Sequence, residues 1–182
     1  MQPDNGSGSL DASKSIPIIK VVRSDEQAIV LEFSAKDFQP QAQWIDGRRF
    51  DFLSLPESGY TSEIGAPQLP IKGVLIATPP EAEAHLTVLE SSTVVLDGYD
   101  IPPVPTPTVD PIEDDPQTVP YKYEENDIYF SNRFYPDKLA EIHLSGMLRN
   151  QHVVGIRFYP FQVRAVSESA SRSTRCRCLL GR

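Results

Sequence analysis

Three histidines (His85, His143, His152), two cysteines (Cys176, Cys178) and the adjacent acids Asp114 and Asp115 are the first side chains in this 182-residue sequence to weigh for catalysis. A cysteine nucleophile needs a thiolate beside a base in an ordered pocket. Cys176 and Cys178 instead sit in a Ser- and Arg-rich final stretch, one residue apart and far in sequence from any other Cys or His. That spacing suits neither a disulfide framework nor a tetrahedral zinc site. His85 falls inside a strand pattern as an ordinary strand residue, and no partners for it are visible. Adjacent carboxylates such as Asp114 and Asp115, set in a proline-dense stretch, read as solvated charge rather than as the spaced pair of a glycosidase. No His-Glu-x-x-His, Walker loop or Gly-x-Ser-x-Gly elbow occurs. The residues therefore predict no catalytic site, no metal site and no cofactor.

The elements that would position any site are strands. Residues 16–24 and 27–35 are β-branched and apolar about a Ser24-Asp25-Glu26 turn, and predict a hairpin or two neighbouring strands. In the second, Ile29, Leu31 and Phe33 share the parity of a core face. Residues 48–55 alternate Arg49 and Asp51 with Phe50 and Phe52, after an Asp46-Gly47 pair suited to a tight turn. Further strand patterns lie at 71–79, 84–91, 93–99, 119–125, 138–146 and 152–163. No long helix is predicted, because the 17 prolines run at roughly twice the ordinary usage and each removes a backbone donor. The expected fold is all-β, a β-sandwich (jelly-roll-like) with a Pro-rich loop and disordered ends.

Composition bounds the organisation. A hydrophobic fraction of 40% supports one core of ordinary size. Residues 1–15 read as a flexible N-terminal segment, 16–163 as the domain, and 164–182 as an unstructured, aberrant tail without strand alternation. Between Asp100 and Pro120 the chain is dense in proline and carries five acids, the pattern of a semi-rigid surface loop. The alternative, a linker between two domains, leaves too little chain beyond it for a second core. The formal net charge is −8 although the tail carries five arginines, so the body is strongly acidic and nucleic acid is excluded as a partner. No apolar run reaches the length of a membrane span, and the first residues lack the basic and apolar regions of a secretory signal.

One segment orders these observations. Residues 60–80, "YTSEIGAPQLPIKGVLIATPP", set a Gly-x-Pro-x-Leu-Pro element (Gly65, Pro67, Leu69, Pro70) ahead of a strand. A Tyr-Pro pair follows at Tyr135 and Pro136, and an Arg-x-x-x-Val-Val run from Arg149 through Val153 and Val154 leads to Pro160 and a last strand. In order and spacing these motifs, spread over residues 16–163, resemble the propeptide of gingipain-type cysteine peptidases of the caspase-like clan. The resemblance implies a non-catalytic β-sandwich prodomain that follows a signal and precedes a cysteine peptidase catalytic domain, in cis or in trans. It would keep the peptidase latent, or assist its folding, until proteolysis. It also implies an extracellular or cell-surface setting for the precursor, of which this chain would be a truncated piece.

Related prodomains are thought to lay a loop over the peptidase cleft, with a basic side chain in the specificity pocket of Arg-directed members. The matching stretch here, "VDPIEDDPQT", holds no Lys or Arg. The inhibitory candidates are then Ile112 or the acids Glu113, Asp114 and Asp115. A second reading of the same pattern is an extracellular β-sandwich binding or adhesion module, with Trp44, Tyr60 and Tyr99 as contact aromatics.

Overall fold

The computed structural model describes residues 19–80, 82–108, 121–164 and 169–181, the last of these as the course of a strand. Its architecture is all-β, with thirteen strands and a single 3-10 turn, at Asp127–Phe130, among the described residues. The chain enters through an antiparallel hairpin, β1 (Ile19–Ser24) and β2 (Ala28–Phe33). Asp25 closes it, its Oδ1 accepting from the backbone N–H groups of Gln27 at 2.9 Å and Ala28 at 2.8 Å. Those bonds favour the ionised carboxyl and hold its pKa below the ordinary value.

A second hairpin joins β3 (Gln39–Ile45) to β4 (Arg48–Ser54). The Asp46-Gly47 turn foreseen from sequence is present, with φ of +49° and +81° at the two positions. Strand β3 itself was not foreseen, because "QPQAQWI" is polar and exposed almost throughout and so lacks a buried face.

Two larger sheets make the sandwich. One runs β5 (Gly59–Tyr60), β6 (Pro70–Thr78), β11 (Gln151–Phe158), β10 (Ala140–Leu148). The other is organised about β13 (Ser169–Gly181), which pairs with β2 and β12 (Phe161–Arg164) along one edge and with β7 (His85–Asp97) along the other. Two expectations are corrected here. The patterns at 84–91 and 93–99 are one strand, β7, because Ser91 and Ser92 pair with Cys176 and Arg175 of β13, with register shifts on either side of them. The final residues, expected to be unstructured, supply the strand that joins β2, β12 and β7; backbone pairing on both sides holds it, which composition does not reveal.

The core lies between these sheets. Ile29, Leu31 and Phe33 of β2 are buried, as their shared parity predicted, and meet Ile156 and Phe158 of β11 and Phe161 of β12. The rings of Phe33 and Phe158 stack at 5.0 Å between centroids, and Phe38 meets Phe161 edge-on at 5.3 Å.

Candidate functional site

The Gly-x-Pro-x-Leu-Pro element is a clamp on the proline-rich loop. Residues 101–104 run alongside residues 65–68. Gly65 N–H donates to the Val104 carbonyl at 2.9 Å, Val104 N–H to Ala66 at 2.8 Å, and Gln68 N–H to Pro102 at 2.8 Å, with Pro67 bridging Pro103. Prolines on both sides supply preset extended backbone but no donors, so the remaining N–H groups carry the pairing. The Thr61 hydroxyl completes it by donating to the Pro67 carbonyl at 2.8 Å and accepting from Leu69 N–H at 3.0 Å.

Gly65 also touches the chain on its return from the loop. Its carbonyl accepts from Asn126 N–H at 3.0 Å, and the Asn126 side-chain amide donates to Ile64 O at 3.2 Å. Its φ is +77°, and a Cβ there would lie 3.0 Å from both Asn126 Cβ and the Glu124 carbonyl. Only glycine fits both the backbone angle and the gap.

Arg48, at the start of β4, closes the clamp from the other side. It donates to both oxygens of Asp100, at 2.7 and 2.8 Å, and to Glu125 at 2.7 Å, while lying 4.7 Å over the Phe50 ring. The bonds to Asp100, then those to Glu125, drive its pKa further above the ordinary arginine value. Buried Asp51 holds the same segment: its N–H donates to Asp100 O at 2.6 Å and its Oδ2 accepts from Asp100 N–H at 3.1 Å. Its Oδ1 takes a bond from Arg49 at 2.6 Å, which answers the buried charge. Tyr129 O–H donates to the Ile101 carbonyl at 2.9 Å. Burial, then the charges of Glu125 and Asp100, push the Tyr129 pKa well above the usual phenol value.

Beyond this clamp β8 (Thr106–Pro107) pairs with β9 (Tyr121–Lys122), setting Thr106 opposite Lys122 and Pro107 opposite Tyr121. Residues 106–107 and 121–122 therefore lie side by side, so the described chain stops and resumes at one point. Ile112, Glu113, Asp114 and Asp115 lie outside the described residues.

The remaining motif residues have other places. Leu69 is in the core and Pro70 opens β6. Tyr135 and Pro136, joined by a cis peptide, form a separate structural point: Tyr135 and Val163 exchange backbone bonds at 2.9 and 2.8 Å, and Gln162 donates to Pro136 O at 2.7 Å. Arg149 takes φ of +56° in the β10–β11 turn, and Pro160 is buried between β11 and β12. Trp44 and Tyr60 are exposed, 72% and 39%, whereas Tyr99 packs against the core. Arg48, Asp51, Asp100, Glu125 and Tyr129 were not singled out for this role from sequence. Their signal was the Asp-Gly turn that presents Arg48 to a loop flanked by acids.

The family model Propeptide_C25 matches residues 11–176. Among solved structures the chain is similar to a Porphyromonas gingivalis complex of RgpB pro- and mature domains, with a TM-score of 0.77, 19% identity, and coverage of 90% of this chain and 84% of that one. It is also similar to a structure described as giving insight into the zymogenic latency of gingipain K from the same organism, with a TM-score of 0.73, 19% identity and 94% coverage of each chain. No curated protein sequence matches it. With nearly the whole chain under the family model and the sandwich shared with both structures, the protein belongs to the Propeptide_C25 family and is a propeptide domain rather than a peptidase domain.

Proposed function

We propose that this chain is the N-terminal propeptide of a secreted gingipain-like cysteine endopeptidase, that it holds the peptidase latent or assists its folding, and that residues 109–120 are laid across the peptidase cleft. The observation that carries the reading is the double anchorage of that loop. Arg48 and Gly65 each bond both the outgoing and the returning arm. A loop fixed at both ends and stiffened by proline loses little freedom on docking, so more of its contact energy becomes affinity. The solved relatives support it through what they are: one is a complex of pro- and mature domains, the other concerns zymogenic latency.

With no Lys or Arg between residues 109 and 120, the blocking group is Ile112 or the acids Glu113, Asp114 and Asp115. The peptidase so matched is not one directed at arginine. The net charge of −8 favours a basic rim on the enzyme, giving association that slows as salt rises. No helix among the described residues is long and apolar enough to cross a membrane. The test is inhibition of the cognate peptidase by the full chain in trans. Inhibition should be lost when residues 110–116 are replaced by a Gly-Ser stretch of equal length. An enzyme equally inhibited by that variant would remove the loop from the mechanism, and one that neither binds nor is inhibited would remove the reading.

A further inference from the structure

A cleft of about 660 Å³ opens between the β5–β6 turn, the Asp127–Phe130 turn and the cis-proline segment, within the range of ~300–1,000 Å³ typical of ligand sites. It shares only Thr61 with the bonds of the loop clamp described above. Its walls carry four aromatic rings, Tyr60, Phe134, Tyr135 and Tyr159. Three carboxylates stand among them, Glu63, Asp127 and Asp137. Among the described residues no cation lies within ion-pair distance of any of the three. Two arginines also line the cleft. Arg157 reaches Glu141 at 3.8 Å, an acid it shares with Lys138 at 3.6 Å, so in the cleft two arginines stand against three acids.

We propose that this cleft is a binding site for an arginine side chain presented on an extended peptide. A planar guanidinium can stack flat on an aromatic face while its edge donors form forked bonds to carboxylates, a geometry that a compact ammonium does not match. The fold already uses this combination within itself, since Arg48 lies 4.7 Å over Phe50 while bonded to Asp100 and Glu125. Phe134 also carries a guanidinium, that of Arg164, at 5.7 Å, bonded there to the Asn132 amide oxygen at 2.6 Å. Glu63 and Tyr135 line the same wall, and the Tyr135 pKa is raised by burial and then by the Glu63 carboxylate. An anionic ligand would face three acids, and an apolar one would leave them unmatched. The inference rests on the cleft alone and does not require the loop to inhibit anything.

The test uses the full 182-residue chain and two tripeptides, acetyl-Gly-Arg-Gly-amide and its citrulline analogue, which keeps the shape and removes the charge. Titration followed by backbone amide NMR should show saturable shifts at Ser62, Glu63, Ile128 and Asp137, with the arginine peptide at least tenfold tighter. The double variant Glu63→Gln, Asp137→Asn should lose tenfold while melting at the wild-type temperature. Equal affinity for the two peptides, shifts scattered over the acidic surface, or no saturable binding would overturn the proposal. A second arm measures inhibition of the cognate peptidase by the same variant. A tenfold weaker inhibitor assigns the arginine to the enzyme's rim, whereas unchanged inhibition assigns it to a separate peptide. Failure of the wild-type chain to inhibit would count against the propeptide-loop reading only, leaving the tripeptide result intact.

Discussion

Arg48 grips Asp100 with two nitrogens at once, Nε at 2.7 Å and Nη2 at 2.8 Å, while Nη1 reaches Glu125 at 2.7 Å. Asp100 precedes the proline-rich loop and Glu125 follows it, so one guanidinium ties both arms to the β3–β4 hairpin. The group is half exposed, and each pair is correspondingly modest in energy.

Arg48→Met is expected to cost about 1 kcal/mol of stability at low salt and less at 1 M salt, where exposed pairs are screened. The larger effect should be local. Hydrogen exchange at residues 101–106 and 121–126 should quicken well beyond the change in global stability, and inhibition should weaken with it. Uniform acceleration over the whole sandwich would contradict a clasp.

Gly65→Ala should destabilise the domain by about 2 kcal/mol, the sum of a left-handed backbone angle and a Cβ pressed on Asn126 and Glu124. Gly47→Ala, also at positive φ but with nothing within 4 Å, should cost only the backbone part. Denaturant midpoints of the two variants separate the contributions, and equal losses would show that the gap at Gly65 closes by relaxation.

Phe158→Ala removes one of the two rings that stack across the sandwich, fully buried, and should cost about 3–5 kcal/mol. For a domain of ordinary stability that approaches the whole margin. Phe158→Leu should cost less and remain folded; thermal melts of both report the difference.

Tyr129 gives an alkaline limit. Its pKa is raised in the folded state, so its contribution is complete below the unfolded phenol value of about 10 and is lost as pH rises beyond it. Tyrosinate absorbance should show Tyr129 still protonated at pH 11, and unfolding should bring it into titration. Tyr129→Phe should shed about 1 kcal/mol through the bond to Ile101 and flatten the stability profile above pH 10.

Strand β2 was legible because burial on one face prints a period of two, as at Ile29, Leu31 and Phe33, whereas β11, buried continuously from Val153 to Ile156, shows as an apolar run. The loop clamp was half legible. Gly65, Pro67 and Pro70 announce themselves through backbone demands that few residues meet. Arg48 does not, because its partners lie 52 and 77 residues away and leave no local pattern. Strand β3 stayed hidden because it is exposed along its length, and β13 because two neighbouring strands, rather than its composition, make it a strand.

Deleting residues 169–182 should abolish cooperative melting, because β2, β12 and β7 then lose the strand they share. A shortened chain that melts as sharply as the full one would show that the sandwich closes without it.

The place of β13 also sets a timetable. Strand β2 is made early, yet its partner along the ladder is synthesised about 150 residues later. Until then one sheet waits with raw edges, and the search that joins such distant segments is slow. During that interval the unfinished sheet is open to mispairing with neighbouring chains, so the domain should depend on chaperones while it emerges.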